Sequence, residues 1–238
     1  MNLVSLNIRG SGNRAKRQEI RKLLEQEKID LCLIQETKQS HISEEYVHSI
    51  WGRSFHGTGY VGIQITWQNL LLYIVCIYSS CFLEEKRHLW AEILRRKSSF
   101  SEGLWCLGGD FNAVKKTNEM KGRTGSGNLS EMAEFGAFIE EMELIDLPAT
   151  GRKFTWFNAA GSSMSRLDRF LLSEGLIGAW DLKVQKVGDR SFSDHCPVFL
   201  KANNRNWGPI PFKFFNPWLK HEELIPFVDS VWNSLNIS

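Results

Sequence analysis

A carboxylate and an amide one residue apart, Asp110 and Asn112, follow two glycines in the stretch Gly108-Gly109-Asp110-Phe111-Asn112. That pairing suits a phosphodiester, with the carboxylate as base for a water molecule and the amide as a neutral donor beside the phosphate. The glycines, lacking a Cβ, would let the backbone turn sharply and approach a ligand closely. The same residues also suit an ordinary turn, so the reading depends on what stands elsewhere in the chain. Asn7, Glu36, Tyr78, Asp168, Asp194 and His195 all lie at or near the ends of predicted strands. Open α/β sheets bind ligands outside strand ends, so one cleft could gather them. Carboxylates with a histidine fit metal-assisted phosphodiester hydrolysis. Mg2+ keeps several of its waters, so one or two carboxylates suffice to hold it.

The elements that must position these residues are readable from periodicity. Asn2 to Ile8 is an opening strand that delivers Asn7 to its end, and Asn13 is the expected N-cap of a helix running to about Glu27. Ile20, Leu23 and Leu24 should face the core from that helix. Its basic run, Arg14, Lys16, Arg17, Arg21 and Lys22, suits a solvated face better than phosphate contact. Asp30 to Gln35 is a buried strand ending at Glu36, and Ser43 to Trp51 a short helix. Leu70 to Tyr78 is a strong strand, and Glu84 to Lys97 a helix carrying Leu89, Trp90, Ile93 and Leu94. The apolar run Leu104 to Leu107 leads into the Gly-Gly-Asp stretch, and Ser130 is placed to cap a helix with Met132, Phe135, Ile139 and Met142 on one face. Lys153 to Asn158 and Arg166 to Leu172 read as strands joined by the loop Ala159 to Ser165. Lys183 to Val187 and Pro197 to Leu200 close the series. Strands interspersed with helices predict one layered α/β domain over residues 1–202. From Asn203 the texture changes to aromatics, Asn and Pro, with helical spacing over His221 to Leu235, which reads as an appended extension, 203–238.

Composition narrows the classes. At 238 residues, 42% hydrophobic and 24% charged, the chain has the make-up of a soluble globular protein. The net charge of +2 makes no global case for a polyanionic partner, so a nucleic-acid reading rests on local chemistry. The five cysteines include no C-x-x-C pair, and Cys32, Cys76 and Cys106 sit in apolar runs as reduced core thiols. With no signal-peptide pattern and no apolar run near the ~20 residues of a membrane helix, an intracellular, soluble chain away from membranes is expected.

Three tempting signals are set aside. Gly57-Thr58-Gly59-Tyr60-Val61-Gly62 matches G-x-G-x-x-G, but a strand-like run follows where a dinucleotide fingerprint needs a helix. Ser193, Asp194 and His195 are adjacent, a poor start for a serine triad, and G-x-S-x-G is absent. The sequons at Asn128 and Asn236 have no secretory route.

Ser5-Leu6-Asn7-Ile8-Arg9-Gly10, Gln35-Glu36-Thr37, Gly109-Asp110-Phe111-Asn112, Ser165-Arg166-Leu167-Asp168-Arg169 and Ser193-Asp194-His195 resemble, in order, the motifs of the endonuclease/exonuclease/phosphatase superfamily, the DNase-I-like fold. The wording is closest to endonuclease domains of plant LINE-type (non-LTR) retrotransposons. Gln35 to Lys38, Phe154-Thr155-Trp156, Leu167 to Leu171 and the tail Pro211-Phe212-Lys213-Phe214 with Trp218-Leu219 are similar to that branch. In such polyproteins a reverse transcriptase follows this tail. The resemblance implies an α/β (α+β) four-layer sandwich, two mainly antiparallel sheets face to face with helices outside. It implies a Mg2+-dependent endonuclease, with Mn2+ a possible substitute, that nicks DNA. Glu36 would bind the metal and Asp194 would be a second metal or water ligand. Asn7 would help hold the phosphate, Asp110 would be the base, and Asn112 would bond the phosphate oxygen. His195, oriented by Asp168, would stabilise the transition state, with Tyr78 near the phosphate or leaving oxygen. Thr155, Trp156 and Arg166 would contact DNA, and the Ala159 to Ser165 loop would reach into its groove.

Two departures stand out. Ser79-Ser80-Cys81 replaces the usual turn after Tyr78, and the stretch from Trp51 to Leu70 is short. A strand pair is expected to be missing around Arg53 to His56, which leaves one sheet short and Leu70 to Tyr78 close to an edge. Rival readings are a catalytically impaired retroelement remnant that at most binds nucleic acid, and a phosphomonoesterase of the same superfamily.

Overall fold

Parity along the strands decides which side chains reach the interior. In the computed structural model, which describes residues 1–10, 14–38, 53–100, 102–122, 129–202, 226–227 and 229–230, the chain divides into two compact units, Met1–Asn203 and Asn204–Ser238. In the second unit, residues 226, 227, 229 and 230 are helical. The remainder of the helix expected over His221 to Leu235 lies outside the described residues, as do the Asn13 cap and the Ser43 to Trp51 helix.

The first unit is an α/β sandwich. One sheet has the order β2 (Leu31–Gln35), β1 (Asn2–Asn7), β14 (Val198–Lys201), β13 (Gln185–Val187), β9 (Ala149–Gly151). The other has the order β3 (Arg53–Gly57), β4 (Tyr60–Trp67), β5 (Leu70–Tyr78), β6 (Leu104–Asp110), β12 (Asp168–Ser173), β8 (Leu144–Asp146). Both sheets mix parallel and antiparallel pairs, β1 lying parallel to β2 and β5 parallel to β6. A small third sheet joins β10 (Trp156–Phe157), β11 (Met164–Ser165) and β7 (Met120–Lys121).

Alternate residues of each strand serve different layers. Leu3, Leu31, Leu33, Val198 and Leu200 of the first sheet meet Leu72, Ile74, Cys106, Phe170 and Leu172 of the second. The intervening residues Val4, Leu6 and Phe199 face helix α1 (Arg14–Gln26) through Ile20, with Leu23 and Leu24 beside it. On the far side, Val75, Ile77, Trp105, Leu107 and Leu171 receive Leu89, Trp90 and Ile93 of α2 (Leu83–Ser99) and Phe135, Phe138 and Ile139 of α3 (Leu129–Glu141). Four layers result, helix, sheet, sheet and helices, as expected. A short helix α4 (Glu174–Ala179) adds Leu176 to the inter-sheet core.

Three expectations are corrected. The stretch Arg53 to His56, where a strand pair was expected to be missing, is itself part of a strand: Arg53–Gly57 pairs antiparallel with Tyr60–Trp67 through a two-residue turn at Thr58-Gly59. Gly59 takes φ +85, so the G-x-G run is a hairpin turn. The sheet has six strands among the described residues, and β5, expected close to an edge, lies in its interior between β4 and β6. The glycines Gly108 and Gly109 sit inside β6 and make no turn. A Cβ on Gly109 would lie 2.0 Å from the Ile77 carbonyl, so they serve close strand approach. Ser130 is already inside α3, where its hydroxyl donates to Glu134 at 2.8 Å and does not cap.

Candidate active site

The parity that fills the inter-sheet core also builds the site. Asn7 continues the inward series of Leu3 and Ser5, Tyr78 that of Leu72 and Ile74, Asp110 that of Cys106, and Asp168 that of Phe170 and Leu172. Register brings the ends together: Tyr78 is paired with Asp110 across β5–β6, and Asp168 with Asp110 across β6–β12. Polar groups stand here because the core series ends and the sandwich opens to solvent.

His195 precedes β14. Its Nδ1 lies 2.8 Å from Asp168 Oδ2, and its Nε2 lies 3.8 Å from Asp110 Oδ2, beyond hydrogen-bond reach. Asp168 therefore orients the ring, and Nε2 faces the space beside Asp110. Both aspartates are 2% exposed. Burial, then the neighbouring Asp168 charge, pushes the Asp110 carboxyl well above its ordinary value. For His195, burial would lower the pKa, but the Asp168 charge and hydrogen bond outweigh it and the imidazole is raised. The site thus couples a base of raised affinity for protons with a histidine that favours its charged form.

Asn112 is held on three sides. Its N–H donates to Asp110 Oδ1 at 2.9 Å, its Nδ2 to the Ser79 carbonyl at 2.7 Å, and its carbonyl accepts from Lys86 Nζ. Asn7 Nδ2 bridges Glu36 Oε1 at 3.0 Å and Asp110 Oδ2 at 3.1 Å. Tyr78 is exposed on the rim. Burial of its hydroxyl, then the Glu36 charge, pushes its pKa up to about 12, so it remains a donor at neutral pH.

Glu36 and Asp194 stand on either side of one cation. The Arg9 guanidinium pairs with Asp194 Oδ2, and its Nε lies 3.7 Å from Glu36 Oε2. Trp156 Nε1 also donates to Asp194, at 3.2 Å. Glu36 is a partly exposed oxygen donor of the kind a hydrated divalent cation takes, whereas Asp194 Oδ2 is already engaged by Arg9 and Trp156. Asp110, Asp168 and His195 also cluster closely enough to hold a metal. That trio is buried and Asp168 is already engaged with His195, so it suits proton handling better.

Two of the three residues expected to touch DNA, Thr155 and Arg166, are turned inward. Thr155 is fully buried, and its Oγ1 accepts the N–H groups of Leu167 and Asp168, each at 2.9 Å. Its carbonyl takes the N–H of Cys196 at 2.7 Å, so it ties the Asp168 strand to the His195 segment. Arg166 is 12% exposed and paired with Glu119 at 2.9 Å and Asp146 at 2.6 Å, facing inward instead of toward a ligand. Trp156 supports Asp194 through its indole and bridges His195 through its backbone. Sequence reasoning gave no role to Arg9 or Lys86. Arg9 lies two residues beyond Asn7, and Lys86 falls at i−3, i−4 and i−7 from Leu89, Trp90 and Ile93, which places it on the core face of α2.

Comparison with known proteins agrees with this arrangement. The family model "Endonuclease/Exonuclease/phosphatase family" matches residues 4–195. No curated protein matches the chain in sequence. Among solved structures, the endonuclease domain of TRAS1, a telomere-specific non-LTR retrotransposon, is 15% identical with TM-score 0.61, covering 85% of this chain and 99% of that one. The 3′ phosphatase NExo from Neisseria, bound to product DNA hairpin, is 16% identical with TM-score 0.62 and the same coverages, 85% and 99%. An endonuclease/exonuclease/phosphatase family protein from Leptotrichia buccalis is 14% identical with TM-score 0.56, again covering 85% and 99%. At these identities the structures share the fold, a DNase-I-like sandwich. From the family model spanning Val4 to His195, the chain belongs to the endonuclease/exonuclease/phosphatase family.

Proposed function

We propose that this chain is a divalent-metal-dependent endonuclease that nicks DNA. The observation that carries the reading is the convergence of Asp110, Asp168 and His195 with Asn7, Glu36 and Asn112 at one end of the inter-sheet space. Asp110 orients a water molecule and takes its proton as the water oxygen bonds to phosphorus and the P–O bond to the leaving strand breaks, which frees that strand's sugar oxygen to take up a proton. Asp168 fixes His195 so that Nε2–H meets a phosphate oxygen in the gap beside Asp110, and Asn112 supplies a second, neutral donor. Asn7 holds Glu36 and Asp110 in one register. Tyr78 offers a protonated hydroxyl at the rim, near the phosphate or leaving oxygen. Glu36 and Asp194 would hold Mg2+, or Mn2+ in its place, and the cation would offset the charge that builds on the phosphate.

Shared phosphodiester chemistry leaves a phosphomonoesterase as the second reading, and the TRAS1 domain and NExo illustrate both outcomes on this fold. The hairpin β10–β11 beside Asp168 and the retrotransposon-like wording of Phe154-Thr155-Trp156 favour cleavage within a strand. The complete set of Asp110, Asn112, Asp168 and His195 in mutual contact weighs against an impaired remnant. We read the chain as derived from a LINE-type element, with residues 203–238 as the linker that precedes a reverse transcriptase in relatives. A supercoiled-plasmid assay with Mg2+ and with chelator, run beside phosphate release from a 3′-phosphorylated oligonucleotide, separates the readings. Open circles formed only with metal support the endonuclease. Phosphate release without nicking supports the monoesterase and refutes the proposal. A reverse-transcriptase reading frame in the flanking DNA checks the origin.

A further inference from the structure

We propose that Lys86 is a positioning residue that holds Asn112 in the conformation needed to receive a phosphate; the assignment rests on the endonuclease reading. Lys86 lies in the first turns of α2, and its side chain is 2% exposed. Its ammonium pairs with the Glu131 carboxylate of α3 and donates to the backbone carbonyl of Asn112. Removing an ammonium from water costs several kcal/mol before pairing offsets it, and an apolar residue of the same length would fill this site at less cost. A buried cation aimed at one carbonyl of the site is therefore a device for geometry.

The geometry requires one. Asn112 adopts φ +47, a left-handed conformation that Asn tolerates better than other residues with a Cβ but that still costs free energy unless neighbouring groups hold it. Asp110 fixes the N–H side and Ser79 the side-chain amide, but neither fixes the carbonyl. Lys86 supplies that restraint and, through Glu131, anchors it to a second helix. With one Nδ2 hydrogen on the Ser79 carbonyl, the other is the one that a phosphate oxygen would accept. Small rotations of the peptide would swing it away from a phosphate oxygen.

Lys86→Met and Lys86→Arg test the proposal, alone and in an Asn112→Ala background, by steady-state nicking and by the Asn112 amide signals in 1H–15N spectra. Misplacing a reacting group by about an ångström costs about a hundredfold in rate. In Lys86→Met, kcat should fall by that order with KM for DNA little changed, while Lys86→Arg recovers most of the rate. In the Asn112→Ala background, Lys86→Met should cause no further loss. The Asn112 backbone and side-chain amide signals should shift or broaden in Lys86→Met and remain near wild type in Lys86→Arg. Unmoved Asn112 signals overturn the proposal, whatever the rate. So does a Lys86→Met loss that persists in full when Asn112 is already absent, or Asn112 signals that move while kcat is unchanged. The spectra also separate failures: a wild-type chain that cleaves nothing, with Asn112 signals that respond to Lys86, refutes the nuclease reading and the catalytic role while leaving the contact demonstrated.

Discussion

Asp168 lies directly opposite Asp110 across the antiparallel β6–β12 pair, both facing the space between the sheets. Two buried carboxylates in that register repel one another unless a proton or a cation is shared. His195 answers the need from the segment that precedes β14, hydrogen-bonded to one and 3.8 Å from the other. The register thus creates the electrostatic problem that the histidine resolves, and the resolution is a base beside a charged donor.

Removing the orienting partner should therefore separate structure from chemistry. Asp168→Asn leaves the side-chain shape but removes the charge that holds His195 in place. Nicking by Asp168→Asn and by His195→Ala should each fall by about 10²–10³, the loss typical of a single preorganised contact. Circular dichroism should match the wild type. Undiminished nicking by either variant removes that residue from the mechanism.

Thr155 makes a different prediction from a DNA-contacting residue. Thr155→Val keeps the shape but strips two N–H groups of their acceptor, at about 1–3 kcal/mol per buried donor. Unfolding midpoints and kcat should both fall, whereas Thr155→Ser should retain most of each. If Thr155→Val instead raises KM for DNA with stability unchanged, the residue contacts substrate after all.

Acid stability should depend on Glu119. Burial would raise its pKa, but Arg169, the Lys115 N–H and Arg166 together hold it below the ordinary value of 4.5. A group lowered in the folded state contributes stability above its unfolded pKa and loses it as pH falls through the folded value. Glu119→Gln should cost about 3–5 kcal/mol at neutral pH, as for breaking one partner from a buried pair. The gap in unfolding free energy between the two proteins should close as pH falls below 4.5. A gap independent of pH would show that the charge is not what Glu119 contributes.

The β10–β11 hairpin carries an internally bonded loop. Asn158 accepts the Ser163 N–H at 3.0 Å through its side chain, donates its own N–H to the Ser163 carbonyl at 2.9 Å, and bonds Ser162. Under the proposed endonuclease activity, this loop has the task of meeting the DNA groove. Exchanging residues 159–163 for a different loop of equal length should shift the nick pattern on a defined duplex without altering metal dependence. The same cut sites after the exchange would exclude the loop from site choice.

Much of this was legible in the residues, for identifiable reasons. Strands such as Leu70–Tyr78 and Leu104–Asp110 are apolar over most of their length because both faces are buried, so composition alone marks them. The polar residues at their ends are legible for the same reason: a carboxylate that terminates an apolar run must sit where the layers open. Arg53–Gly57 gave no such signal. Its run Arg-Ser-Phe-His-Gly is largely polar, and its strand identity comes from Tyr60–Trp67, where the Phe55 ring lies over Gly62. Strands of two or three residues, such as Met120–Lys121 and Ala149–Gly151, are likewise defined by partners distant in sequence. Thr155 and Arg166 were legible as important residues but not in their roles. A hydroxyl that meets backbone N–H groups and a guanidinium enclosed by Glu119 and Asp146 are facts of tertiary packing.

The central claim is that Asp110 acts as base within a metal-dependent nicking site. Initial rates of conversion of supercoiled plasmid to open circle, for wild type and Asp110→Asn with Mg2+ and with chelator, test it most directly. The account predicts metal-dependent nicking by the wild type and a loss of at least about 10² in Asp110→Asn, with the fold unchanged. Nicking by Asp110→Asn at the wild-type rate, or wild-type nicking indifferent to chelator, would contradict it.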